Sequence, residues 1–224
     1  MNSKQQQLVR RFIGKRLAEY YAQPADSVVG SARGIDSVNL SSLWGEAHWR
    51  RVLQRLYDER NGHWLTPVEL FKPYYSNILS NFICRQAMDS IDGPSCSEQH
   101  IEIVELGGGR GTNCNLILSR LREANEGRFY SKVRVLGSQK ADCEAKFLKV
   151  FSSPTAYQGV YSKVKYTLVD SSPTLHEFQR QELSCSEHSE KVNFKLCDLM
   201  DVAEEKVDLL ENSDAITIVI ALGT

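Results

Sequence analysis

The sequence predicts an α/β fold: an incomplete, doubly wound parallel sheet of about four strands over residues 100–224, preceded by an N-terminal helical segment over residues 1–99. Two observations predict it. From residue 101 onward, apolar runs of strand length alternate with amphipathic stretches of helix length, the pattern of parallel strands joined by crossover helices. Within that pattern the run "IEIVELGGGRGT", Ile101–Thr112, sets three alternating glycines between a strand and a helix, where such sheets bind ligands.

The bulk properties exclude several function classes. With 42% hydrophobic and 25% charged residues, the chain has the proportions of a soluble globular protein. A net charge of −1 builds in no general attraction for nucleic acid, and none is expected as a partner. The longest apolar run, "AITIVIAL" at 215–222, reads as a buried strand. It is far short of the roughly 20 residues of a membrane helix, so no membrane span is expected. Six cysteines (84, 96, 114, 143, 185, 197) form no CxxC pair and read as reduced thiols in an intracellular compartment. Neither they nor the five histidines (48, 63, 100, 176, 188) have metal-site spacing, so no metal is expected.

Residues 1–18 carry Lys4, Arg10, Arg11, Lys15 and Arg16 and no acid, with Leu8, Phe12, Ile13, Leu17 and Tyr20 at helical spacing. Two readings stay open: a mitochondrial presequence, or the first helix of the folded protein, basic on its wet face. Residues 24–41, rich in Ser, Gly and Asp, read as loop. From Ser42 a helix is expected, with Leu43, Trp44, Trp49, Val52, Leu53, Leu56 and Tyr57 on its apolar face. In "HWLTPVELFKPYY", Thr66 is an N-cap, Pro67 the first helical residue and Glu69 the third, a capping box. That helix is expected to continue past a kink at Pro73 to Ile83, with a loop at 89–99. Strands follow at 101–106, 164–170, 191–198 and 215–222, and helices at 112–126, 172–183 and 200–211.

Glycines at 107, 109 and 111 permit a tight turn and close approach of a ligand to the backbone. The helix starting near Thr112 aims free N–H groups at the loop. The dinucleotide fingerprint GxGxxG, counted from Gly107, requires glycine at 112, where Thr stands. A nicotinamide-dependent oxidoreductase therefore fits poorly. "ELGGGRG", Glu105–Gly111, instead resembles the first motif of S-adenosyl-L-methionine-dependent methyltransferases with the seven-stranded Rossmann-like fold. The resemblance implies a Rossmann-like class I methyltransferase sheet with that cofactor. Glu105 would help hold its cationic amine, and the backbone at Gly107, Gly109 and Gly111 would pack against its amino acid end and sugar. It further implies an acid after the second strand for the ribose hydroxyls, Asp170 in "YTLVDSS", and one after the third for the adenine amino group, Asp198 in "KLCDL". Cys114 reads as a small packing residue and not as a reactive thiol.

A narrower resemblance lies upstream. "WLTPVELFKPYYSNILSNFI", residues 64–83, followed by the glycine motif, resembles the MidA-like family of mitochondrial and bacterial methyltransferases. That family includes a protein arginine methyltransferase that assists assembly of respiratory complex I. The resemblance covers roughly residues 40–133 and 164–222. It implies a mitochondrial enzyme acting on a protein substrate, with a complex I subunit as a candidate, and a cover over the cofactor from "LTPVELF". No residue is identified as catalytic.

Two departures qualify it. Glu105 and Asp170 lie 65 residues apart, where one crossover helix needs about 30. "YSKV" occurs at 130–133 and again at 161–164, and cutting 31 residues, 134–164, shortens the gap to 34. Residues 134–164 are therefore expected to be an insert. The sequence also ends at its fourth strand, leaving that strand an apolar edge and the family's acceptor-side residues outside the chain. The alternative function is a truncated, non-catalytic isoform acting as a binding module.

Overall fold

The computed structural model describes residues 3–23, 36–59, 65–91, 100–126, 159–198, 201–202, 207–210 and 215–221. Its centre is an all-parallel sheet of four strands in the order β3-β2-β1-β4: β1 Ile101–Leu106, β2 Val164–Asp170, β3 Val192–Leu196 and β4 Ile216–Ala221. The helices are α1 Ser3–Tyr21, α2 Glu46–Asp58, α3 Pro67–Leu70, α4 Tyr74–Ile91, α5 Thr112–Asn125, α6 Val160–Lys163 and α7 Pro173–Ser184. The α/β class, the parallel sheet and the first two strands agree with the sequence reading to the residue.

The strands form where β-branched residues cluster, because those side chains suit a pleated, packed surface. β1 is buried along five of its six residues, as expected of a parallel strand covered on both faces. The register sets Ile101 beside Val164 and Ile216, and Ile103 beside Tyr166 and Ile218. That row meets Ile83, Cys84 and Ala87 of α4 and Ile117, Leu118 and Leu121 of α5 in one core. Each buried Ile, Leu or Val among them contributes about 1.5–3 kcal/mol by leaving water. α4 is thus part of the core beneath the sheet. A smaller cluster joins Leu65 and Leu70 to Trp49, Leu53, Leu56 and Phe71. On β4, Ile218 and Ile220 are buried while Val219, on the opposite face, is 58% exposed. Among the described strands β4 lies at an edge, as expected, but its apolar run, read as a buried strand, is buried on one face only.

The N-caps follow the sequence, but the capping box expected at Thr66 forms by half, because the Glu69 carboxylate bonds Thr112 and Lys72 instead. Thr66 Oγ1 accepts from Glu69 N at 3.4 Å, with Pro67 first in α3. Ser172 Oγ accepts from Leu175 N at 3.3 Å, with Pro173 first in α7. Three expectations are corrected. The single helix from Pro67 is two: α3 ends at Leu70, and α4 restarts at Tyr74 beyond Pro73, which has no N–H to continue a helix. α2 begins at Glu46 and not at Ser42, because Gly45 takes φ 118°, outside the helical region; Trp44 stands outside the helix, 88% exposed. Residues 207–210, expected in a helix over 200–211, are not helical. There Lys195 Nζ donates to the carbonyls of Asp208 (3.0 Å) and Leu209 (3.2 Å), and the Asp208 carboxylate accepts from Leu210 N. Of the loop expected at 89–99, residues through Ile91 are helical and 92–99 lie outside the described residues, as do 24–35 of the loop at 24–41.

The expected insert, 134–164, lies outside the described residues up to 158, but its carboxyl end is built into the fold. Gly159 N donates to Asn125 Oδ1 at 2.6 Å, and Val160 and Val164 are buried. Buried His188 bridges Tyr161 OH (2.8 Å, Nδ1) and Ser119 Oγ (2.9 Å, Nε2), fastening α6 to α5 and to the turn after α7. The second "YSKV" therefore occupies the place before β2, and Gly159, at its approach, is bonded to Asn125 at the end of α5. Deleting residues 134–164 brings Tyr130–Val133 into that place. The shortened protein is expected to melt cooperatively, with a Tm at or above the parent's, since each halving of a loop saves about 0.6 kcal/mol of closure entropy. Loss of the cooperative transition in a calorimetric scan would show that the segment is required for folding.

Candidate functional site

The strand order sets where a ligand can sit. β2 and β3 lie on one side of β1 and β4 on the other. The loop leaving β1 therefore emerges at the point where the winding reverses, the position at which open parallel sheets take their ligands. Glu105, the glycine loop, Asp170 and the residues after β3 all lie at the carboxyl ends of these strands.

Gly107, Gly109 and Gly111 have φ of 73°, 55° and 78°, a left-handed region that penalises any side chain. Their surroundings differ. A Cβ on Gly107 or Gly109 would meet nothing within 4 Å, so the backbone there is open to a ligand. A Cβ on Gly111 would stand 2.7 Å from Leu183 Cδ1, and one on Gly108 2.3 Å from Leu168 Cδ2. Those two glycines let the loop lie down on β2 and α7. Gly107 N donates to Val169 O at 2.8 Å, pinning the loop to β2.

Glu105 is 1% exposed. Its Oε1 accepts from Asn113 Nδ2 and its Oε2 from Tyr166 OH, both at 2.8 Å, and Asn113 Oδ1 accepts from Ser76 Oγ at 2.7 Å. Burial raises its pKa, with the bonds from Asn113 and Tyr166 pulling the other way. Asp170 is 7% exposed at the end of β2. Its carboxylate accepts from Ser172 N (2.9 Å) and Gln179 Nε2 (3.2 Å), and burial again raises its pKa against those bonds. Gln179 Nε2 also donates to Gly109 O at 2.7 Å, so one amide joins the glycine loop to Asp170. Asp198 is exposed beyond β3; the adjacent Cys197 N donates to Asp170 O, which holds the end of β3 beside β2. The structure thus links Glu105, the glycines and Asp170 through α5 and α7, and sets Asp198 on the open rim. Cys114 is fully buried, and burial with the neighbouring Glu105 pushes its thiol well up, so it is inert packing.

Four contributors escaped the sequence reading: Gln179, Asn113, Tyr166 and Ser76. Gln179 had a signal: it sits between Leu175 and Leu183 on the buried stripe of α7, where an uncharged polar residue needs a partner. The upstream "LTPVELF" element also reaches the loop. The carboxylate of buried Glu69 accepts from Thr112 Oγ1 and pairs with Lys72 Nζ at 3.2 Å. A cavity of about 500 Å³ borders the loop at Arg110–Thr112, lined also by Lys72, Phe178 and Glu182; none of Glu105, Asp170 and Asp198 lines it. The Arg110 guanidinium lies 3.7 Å over the Phe178 ring. Among the described residues, no helix is long and apolar enough to cross a membrane, and no acid, His or Cys cluster is placed to hold a metal. The chain matches no protein-family model, and no curated protein matches it.

Two outcomes follow from this network. Folding disfavours ionised Glu105; the cost is absent below its ordinary value of 4.5 and complete above the raised one. The parent is therefore expected to gain stability relative to Glu105→Gln as pH falls through that window, read as the difference in Tm. A difference that is flat, or that moves the other way, contradicts the buried carboxylate. Gln179→Leu strips one donor from both Gly109 O and Asp170, and is expected to cost about 1–3 kcal/mol in urea denaturation.

Proposed function

We propose that the chain binds S-adenosyl-L-methionine as a methyltransferase of the MidA-like type, acting on arginine in a protein substrate within mitochondria, with a complex I subunit as a candidate. The observation that carries the cofactor reading is the open side of Gly107 and Gly109 at the winding reversal of a parallel sheet, with a buried acid closing each of the two central strands. The residues present fit the cofactor. The backbone at Gly107 and Gly109 would meet its amino acid end and sugar without hindrance. Asp170 would take the ribose hydroxyls, since a carboxylate has about four lone-pair sites and three are taken, by the Ser171 and Ser172 backbone N–H groups and Gln179. Asp198, on the rim, would face the adenine amino group. Glu105 acts through Asn113, holding the first turn of α5 and with it the direction of the loop.

When bound, the cofactor supplies a methyl group on a sulfonium, an electrophile open to in-line displacement. The protein's share is position: held groups in a fixed frame lower the barrier by removing translational freedom in advance. A binding module without turnover is the second reading. It draws on the cavity of about 500 Å³, which touches the loop but none of the three acids.

Calorimetric titration with S-adenosylhomocysteine tests the proposal. Saturable binding is expected for the parent. Gly109→Arg should weaken it at least about a hundredfold, near 2.7 kcal/mol, while keeping a cooperative melt. A folded parent that takes up no ligand rules the reading out.

A further inference from the structure

We propose that α1 is a docking helix for an anionic lipid surface. Over Ser3–Tyr21 the chain forms 19 helical residues. Val9, Phe12, Ile13 and Leu17 are 47%, 60%, 49% and 49% exposed. At 3.6 residues per turn these positions share one face. Every residue from Arg11 to Glu19 is exposed, and α1 touches the body of the protein at α7. Most helical stability comes from packing of an apolar face, and exposed Val9, Phe12, Ile13 and Leu17 form apolar surface that a cover would remove from water.

The charge selects the cover. Residues 3–21 hold five bases, Lys4, Arg10, Arg11, Lys15 and Arg16, against one acid, Glu19. That is a local charge of +4 in a chain of net −1. Glu19 pairs with Arg16 at 2.8 Å and Lys15 at 3.8 Å, but such exposed pairs hold little energy and leave the surplus intact. A second copy would bring the same +4 and be repelled. An anionic bilayer attracts the basic side chains and accepts the apolar stripe into its headgroup boundary. The Arg16 guanidinium lies 5.4 Å from the Phe12 ring centre, so its stem follows the apolar face while its head reaches for the surface. This property belongs to the helix itself. It is independent of cofactor binding and holds whether or not the segment also directs import.

Co-sedimentation of the full chain with vesicles decides the matter. With equal parts phosphatidylglycerol and phosphatidylcholine the protein is expected in the pellet; with phosphatidylcholine alone it is expected in the supernatant. Added salt should release it. A double variant, Arg11→Glu with Lys15→Glu, should lower partitioning at least about tenfold, as should Phe12→Ser with Ile13→Ser. Both should keep the parent's Tm, because these side chains lie outside the core. The proposal fails if the parent ignores anionic vesicles, pellets equally with neutral ones, or binds undiminished in either variant. It also fails if sedimentation velocity shows a dimer that Phe12→Ser with Ile13→Ser disperses, for then a second copy is the cover.

Discussion

A carboxylate in a dry interior must be hydrogen-bonded or it destabilises everything around it, and Glu105 places that demand at the centre of this protein. Its two oxygens draw Asn113 from α5 and Tyr166 from β2, and Asn113 draws Ser76 from α4. One side chain on β1 thereby fixes the neighbouring strand, the first turn of the following helix and a helix from the N-terminal segment. The loop between β1 and α5 has its two ends set by this arrangement, and its path is then left to the glycines. The same burial pushes the Tyr166 hydroxyl and the Cys114 thiol well above their ordinary values. Both stay neutral: the hydroxyl keeps its proton and donates it to Glu105.

The glycine loop divides two tasks that sequence alone runs together. Gly108 and Gly111 are small because Leu168 and Leu183 press against them, whereas Gly107 and Gly109 have empty space where a side chain would point. Packing explains the first pair. For the second pair it explains nothing, and the left-handed φ is what favours glycine there. Open space beside backbone at the mouth of a parallel sheet is what a bound ligand requires. The fixed link from Gly109 through Gln179 to Asp170 keeps that opening at a constant distance from the end of β2.

Legibility tracked how local the cause was. The strands were readable because a buried parallel strand is a short β-branched run closed by a glycine or an acid, all within one window. Thr66 and Ser172 were readable because a cap and the proline after it act on the next three residues. Trp44 was misplaced into a helix because hydrophobic spacing does not register that Gly45 sits at φ 118°. Residues 207–210 were misjudged because the group that takes the carbonyls of Asp208 and Leu209, Lys195, lies on β3, outside any local window. At the site, the glycines and Asp170 declared themselves by position. Tyr166 and Ser76 act across the fold, and no local pattern marks them, whereas Gln179 left a trace as a polar residue on the buried stripe of α7.

The placement of β4 beside β1 serves the core and shapes the crevice above the glycine loop. β1 and β2 are covered on both faces, yet Val219 of β4 stays open on one. Other places open to β4 are between β1 and β2 and beyond β3. Between β1 and β2 it would break the pairing that sets Glu105 beside Leu168 and pins Gly107 to Val169. Beyond β3 it would leave β1 at the edge, with no reversal of winding and no crevice above the loop. Only the free flank of β1 preserves the Glu105 network and also creates the crevice.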